Sequence, residues 1–316
     1  MFRLEVLLTE AQLAQEFQTA WEQRYLPEKF FYWFPLSVEA WLELCRGSQP
    51  YKNFARSHSL IVRHAGDIAR RLKRGDVEVV SLGAGQGDKD VVLLKALGAN
   101  GGRVRYRPVD SSLALLELAL GAAAEVHLPA LGLKADLDSP ATVEALAASA
   151  ERPRLYLVLG NALGVIDPLR FLGRLRGLLR REDRVVVDGE IFHAQDTMSG
   201  YDNPVNRRFA FGPLAAVGLE EGSDGALVFE SESDARQEGL HRVTKHFRPA
   251  RRLQVPVAGR QVLLPAGEKI AMNCSYKYSR TAFLEMLCAE GGLQPLNEYP
   301  SDDEQFLMVL AGPGAA

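Results

Sequence analysis

A short apolar stretch, Val77-Glu78-Val79-Val80-Ser81-Leu82, runs directly into Gly83-Ala84-Gly85-Gln86-Gly87 and then into a helical pattern that starts at Asp88. No other feature limits the fold as much. A strand feeding a glycine-rich turn and a helix is the unit with which open α/β sheets bind nucleotides. Glycine lets the backbone approach a ligand closely, and the helix start offers free N–H groups. The spacing narrows the choice. A dinucleotide site wants G-x-G-x-x-G, with a glycine at 88, but that position is Asp88. The glycines at 83, 85 and 87 give G-x-G-x-G instead. An acidic residue at 88 repels a pyrophosphate and tolerates a zwitterionic ligand. The competing explanation is a tight turn with no ligand.

Three further positions weigh against a bare turn. Asp110 ends the second strand pattern, 23 residues after Gly87, where a carboxylate can accept both hydroxyls of a ribose. Asp136, in Ala135-Asp136-Leu137, follows a third strand and can meet an adenine amino group. Gly160-Asn161-Ala162-Leu163-Gly164 follows a fourth. Each Asp could cap a helix or shape a turn. Their recurrence at successive strand ends points to one ligand.

The rest of the chain supports a parallel sheet covered on both faces. Strand patterns at 77–82, 104–109, 125–128, 155–159, 184–188 and 305–310 alternate with helical patterns at 88–97, 113–123, 142–148, 169–179 and 280–290. Ahead of them, helical spacing covers 8–24, with Thr9 as its cap, then 38–45 and 54–72. Between 192 and 270 the rhythm breaks into glycine- and proline-punctuated strands such as 240–247 and 261–264. The aromatic run Phe30-Phe31-Tyr32-Trp33-Phe34 reads as packing first and as a cage for a cation second. Arg103, Arg105 and Arg107 alternate along a strand expected to be interior, and the sequence alone does not account for them.

A net charge of −3 and a pI of about 6.1 leave no global basic field to gather nucleic acid. Cys45, Cys274 and Cys288 are too scattered for a disulfide framework or a zinc site, and the six histidines form no ligand cluster. The N-terminal residues lack the pattern of a signal peptide, and no apolar run is long enough to span a membrane. The expectation is a cytoplasmic protein with a small-molecule substrate, no nucleic-acid or membrane partner and no metal. The sequence leaves its oligomeric state open.

With these residues in view, the chain resembles the histidine-specific methyltransferases, which use S-adenosylmethionine to methylate the α-amino group of histidine. Ser81-Leu82-Gly83-Ala84-Gly85 is similar to that family's E-L-G-S-G, and Pro108-Val109-Asp110-Ser111-Ser112 to its P-V-D-x-S. Leu159-Gly160-Asn161-Ala162-Leu163-Gly164 is similar to L-G-S-T-I-G. Tyr201-Asp202 with Asn206 and Phe209 resembles a Y-D-D…F-N stretch. Gly267-Glu268-Lys269-Ile270 with Ser275-Tyr276-Lys277-Tyr278 resembles G-E-x-I/M…S-x-K-F. The resemblance implies an α/β fold: a Rossmann-like class I methyltransferase core with a mostly parallel seven-stranded sheet, and a smaller α+β substrate-capping domain. The core would comprise 61–190 plus 280–316, and the cap 1–60 plus 191–279. Two positions depart from the family. Its asparagine for the substrate amino group is Val165 here, and its glutamate facing the imidazole is Asn273. A site built for hydrogen bonds discriminates steeply, so the substrate should differ.

The cofactor set expected from motif and resemblance is Gly83, Ala84, Gly85, Gly87, Lys89, Asp110, Ser111, Asp136, Leu137, Gly160 and Asn161. The substrate set is Tyr32, Tyr51, Val165, Tyr201, Asn273 and Ser275, with Glu190 as candidate base. The reaction expected is methyl transfer to a small-molecule acceptor, an amine of an amino acid or related metabolite. A non-catalytic metabolite-binding protein and a nicotinamide or flavin oxidoreductase remain as alternatives.

Overall fold

The computed structural model describes residues 2–47, 51–72 and 75–314. The chain opens with strand β1 (Phe2–Val6), helix α1 (Glu10–Glu22), the short strand β2 (Tyr25–Leu26) and a 3₁₀ turn (Glu28–Phe31). Helices α2 (Pro35–Arg46) and α3 (Asn53–Arg71) follow. Thr9 caps α1 in a reciprocal box: its hydroxyl accepts from the Gln12 N–H, and the Gln12 side chain accepts from the Thr9 N–H. Pro35 begins α2, where a missing N–H costs nothing.

The alternating segment comprises β3 (Val77–Leu82), α4 (Asp88–Ala99), β4 (Val104–Asp110), α5 (Leu113–Glu125), β5 (Ala130–Lys134), α6 (Pro140–Ala148), β6 (Arg154–Val158), the single turn α7 (Ala162–Val165), α8 (Pro168–Leu178) and β7 (Arg184–Glu190). Then come α9 (Ala194–Tyr201), α10 (Pro204–Ala215), β8 (Gly225–Ser233), β9 (Leu240–Pro249), β10 (Leu253–Val257), β11 (Arg260–Leu264), β12 (Ile270–Tyr278), α11 (Arg280–Ala289), β13 (Leu293–Pro300) and β14 (Phe306–Pro313).

The main sheet has eight strands in the order β1-β5-β4-β3-β6-β7-β14-β13. Its first six are parallel; β14 runs antiparallel to them, and the edge strand β13, antiparallel to β14, takes their direction again. Two apolar layers cover its faces. One is built on Leu60, Ile68, Leu93, Leu116 and Leu157, the other on Val80, Tyr156, Phe171, Phe283 and Leu307. A second sheet, β2-β12-β9-β8, and the hairpin β10-β11 form the cap. The cap core gathers Phe17, Trp21, Phe30, Phe31, Phe209 and Phe247. Phe30 and Phe31 of the aromatic run are thus packing residues, each fully buried, with Phe17 meeting the edges of the Phe30, Trp33 and Phe34 rings.

Four features differ from the sequence expectation. The sheet has an eighth strand because β1 pairs in parallel with β5, so residues 2–6 lie in the core sheet although the division by sequence groups them with the cap. The boundary expected at 61 falls inside α3, which packs on α4 and β14. No strand forms at 125–128. There α5 closes in a reverse turn, with His127 left-handed (φ 56°), its N–H on the Ala124 carbonyl and that of Leu128 on the Ala123 carbonyl. The strand begins later, at Ala130, and the apolar character of Val126 and Leu128 belongs to the helix closure. Finally, β13 carries Pro295 and a bulge at 295/297 that mask its periodicity, as an edge strand allows.

Of the three arginines at β4, Arg105 is exposed and only Arg103 and Arg107 meet carboxylates. Arg107 is buried against Glu5 of β1 and Ser149, whereas Arg103 is exposed beside Asp76. Among the described residues no helix is long and apolar enough to cross a membrane.

Gly87 sits at φ +81°, and a Cβ there would lie 2.9 Å from the Ala119 Cα of α5. Backbone cannot yield as a flexible side chain does. Gly87→Ala should therefore destabilise the fold by about 2–3 kcal/mol, read as a lower midpoint in urea unfolding.

Candidate active site

Strand order decides where a ligand can enter. β3 has β4 on one side and β6 on the other, so the loops after β3 and β6 diverge and leave a crevice. The glycine loop closes one wall. Gly83 and Ala84 donate to the Val109 carbonyl, and Gly85 donates to the Asp110 carboxylate at 2.9 Å. Gly83, Gly85 and Gly87 all have positive φ, which only glycine adopts at little cost. A Cβ at Gly85 would meet nothing within 4 Å: that residue faces open space.

Asp110 anchors this wall. One oxygen accepts from Gly85, the other from the Ser112 N–H at 2.9 Å, and burial raises its carboxyl pKa. Each oxygen keeps a lone pair for a further donor. The opposite wall hangs on Asp188, which accepts from the Gly160 N–H at 3.0 Å and the Asn161 N–H at 2.8 Å while Ser57 of α3 donates to it. These bonds hold Asn161 left-handed (φ 66°). Lys89 of α4 fills the space over Gly160, where a Cβ would lie 2.9 Å from its Nζ. Its ammonium rests 4.3 Å from the Phe54 ring centroid.

One cavity of about 270 Å³ runs from this crevice into the cap. Gly83, Ala84, Gly85, Lys89, Asp110, Ser111, Asp136, Leu137, Gly160 and Asn161 line it at the core end, and Tyr32, Tyr51, Val165, Tyr201, Asn273 and Ser275 line it towards the cap. Gly87 does not touch it and serves as the N-cap of α4. Asp136 is already engaged, its carboxylate paired with Lys29 of the cap at 2.6 Å.

Glu190 corrects an expectation. It is not a wall residue, and its carboxylate is buried between Lys277 Nζ (3.0 Å) and Asn53 Nδ2 (2.5 Å). An ion-paired carboxylate that does not line this cavity is not placed to take a proton from a substrate there. It holds Lys277, which donates to Ser275 Oγ at 2.9 Å, and Ser275 Oγ lies 3.0 Å from Tyr201 Oη. The spacing along β12 gives Ser275 and Lys277 to one network, but only the fold supplies Glu190 and Asn53.

Sequence reasoning missed several wall residues. Trp41 of α2 and Phe209 of α10 join Tyr32 and Tyr51 in an aromatic wall: Tyr32 and Trp41 centroids are 5.4 Å apart, Trp41 and Phe209 5.5 Å, Trp41 and Tyr51 6.2 Å. Glu28 accepts from Asn273 Nδ2 and bonds with Tyr32. Burial pushes its pKa up to about 7, with the ammonium of Lys245 as the main opposing influence. A lone Glu after a proline and a lone Lys on a strand carry no signal of a shared cavity. Burial also holds the phenols of Tyr32, Tyr51 and Tyr201 well above the ordinary tyrosine range.

Residues 10–313 match the family described as "Histidine-specific methyltransferase, SAM-dependent". Among curated proteins no sequence matches the chain. The chain is similar to a solved S-adenosylmethionine-dependent methyltransferase from Clostridium acetobutylicum, at 12% identity and a TM-score of 0.43, covering 83% of this chain and 92% of that one. It is similar also to the 1,6-didemethyltoxoflavin-N1-methyltransferase of Burkholderia thailandensis, solved with 1,6-didemethyltoxoflavin and S-adenosylhomocysteine, at 12% identity and a TM-score of 0.43, covering 96% and 88%.

Two measurements test this geometry. Asp110→Ala removes a cavity carboxylate and the acceptor of the Gly85 N–H, so the affinity for S-adenosylhomocysteine should fall at least tenfold in calorimetry, about 1.4 kcal/mol or more. For Glu28 the sign is set by its raised pKa. Its contribution to stability is complete below the ordinary value of 4.5 and is lost as pH rises through about 7. Glu28→Gln cannot ionise. It should be more stable than the wild type at pH 8, by at most about 3 kcal/mol and seen as a higher melting temperature, with the difference closing towards pH 4.5.

Proposed function

Because the chain belongs to the histidine-specific, S-adenosylmethionine-dependent methyltransferase family, we propose that it methylates an amine of an amino acid or related small metabolite. The observation that carries this reading is the single cavity whose core end is glycine loop and Asp110 and whose cap end is aromatic wall. Bound S-adenosylmethionine supplies a sulfonium methyl open to displacement by a neutral amine.

The residues present fit that cofactor. Asp110 retains acceptor capacity for ribose hydroxyls, and Gly83 to Gly85 allow backbone approach. Lys89 places an ammonium beside Gly160, suited to a carboxylate at the methionine end. Ser111 and Leu137 complete the wall. Asp136, whose carboxylate is paired with Lys29, would accept from the adenine amino group with its remaining lone pairs.

At the acceptor end, methyl transfer turns a neutral amine into an ammonium. Tyr32, Trp41, Tyr51 and Phe209 offer ring faces to that charge as it develops. Tyr51 and Tyr201, kept as neutral phenols, can accept an amine N–H and so turn the lone pair towards the methyl. Ser275 fixes Tyr201, and the Lys277–Glu190 pair fixes Ser275. Catalysis of this kind rests on alignment and exclusion of water, and the amine proton leaves to solvent. Val165 presents a methyl-lined wall rather than a hydrogen-bonding group, and Asn273 is committed to Glu28. Both favour an acceptor other than histidine.

The reading is checked by offering the twenty amino acids and a set of simple amines with methyl-labelled cofactor. Label should enter at least one amine nitrogen, located by mass spectrometry. Protein that binds S-adenosylhomocysteine but labels no amine would refute it.

A further inference from the structure

The cap end of the cavity holds a cation that nothing in the reaction uses. β9 and β12 pair so that Lys245 lies opposite Met272, and Val243 opposite Ser275. β12 leaves the cap beside β2, at Ala271 and Met272, and reaches the core at Tyr278, which bridges to Ile191 and donates to the Leu163 carbonyl. Ser275 is within reach of Asn161, on the loop of the core wall. Lys245 therefore lies on the cap side of Ser275, farther from the methyl-donor end. It is a wall residue of the cavity.

Its surroundings are unusual for a lysine. Two other lysines in or beside the same sheet are paired, Lys277 with Glu190 and Lys269, just ahead of β12, near Glu230. Among the described residues Lys245 has no ion pair and no side-chain hydrogen bond. Its Nζ lies 4.1 Å over the Phe31 ring centroid and 5.6 Å from that of Phe209. Glu28 is the main negative charge acting on it, but that carboxylate bonds to Asn273 and Tyr32. Burial lowers the Lys245 pKa, with Glu28 opposing. A half-buried ammonium at a cavity wall with no bonded carboxylate is suited to an anion that enters the cavity. The Lys245 ammonium carries three N–H donors and lines the cavity that the acceptor reading assigns to the substrate.

We propose that Lys245 binds an anionic group, a carboxylate or phosphate, carried by the acceptor at the end away from the methylated nitrogen. This rests on the acceptor chamber described above. The acceptor class is then an amine with a distal acid, such as an acidic amino acid. Near neutral pH the raised pKa keeps Glu28 partly protonated, which lessens its repulsion of such an anion.

The experiment is calorimetric titration of the protein saturated with S-adenosylhomocysteine, using three matched pairs: L-aspartate against L-asparagine, L-glutamate against L-glutamine, and O-phospho-L-serine against L-serine. At least one acid should bind ten times more tightly than its neutral partner. Lys245→Met should bring that ratio to about one, and Lys245→Arg should keep it, both with unchanged affinity for S-adenosylhomocysteine. Equal binding within all three pairs, or no binding of any acid, overturns the proposal, as does a preference that survives in Lys245→Met. The outcome is separable from the amine reading. An acid that binds through Lys245 but accepts no label leaves the anion site standing and removes the amine.

Discussion

The structure depends on the divergence of two loops at the middle of the main sheet. β3 is flanked by β4 and β6, and the chain must leave it in one direction for α4 while the loop after β6 turns the other way. Neither loop can cover the other, so the strand ends open into a crevice whose walls need internal anchors. Asp110 and Asp188 provide them, each a buried carboxylate satisfied by backbone N–H groups. Burial raises both pKa values, and the N–H groups offset part of that cost.

The cap is not an independent lid resting on this crevice. β12 begins in the cap sheet and ends against β7 and α7 of the core, and α3 passes Ser57 and Asn53 to Asp188 and Glu190. Core and cap therefore share buried polar bonds around one cavity. The network Tyr201–Ser275–Lys277–Glu190–Asn53 spans both parts, and a shift of the cap would strand several of its members without partners. The cap end of the cavity, like the core end, is held by buried polar bonds.

Charge divides that cavity into regions. The methyl-donor end has Lys89 by Gly160, the middle is aromatic, and the cap end has Glu28 and Lys245.

Much of the core was legible from the sequence because its signals are local. Glycine spacing at 83, 85 and 87, an Asp at the end of β4 and strand-helix periodicity all follow from backbone geometry within a few residues. The sequence alone thus determined the cofactor wall, the class of chemistry and the break in rhythm where the cap sheet begins. It could not reveal β1 as an edge strand, because Leu4 and Val6 remain exposed and pair only through backbone with a strand more than a hundred residues away. Nor could it place Glu190, which a strand-end reading puts in the pocket and the Lys277 ion pair withdraws from it. Glu28, Trp41, Phe209 and Lys245 come from four separate elements, and their shared cavity exists only once β12 carries the cap sheet against the core. Tertiary structure alone decided the acceptor end, because recognition there depends on which side chains converge and which lose their partners. No spacing along the chain encodes that.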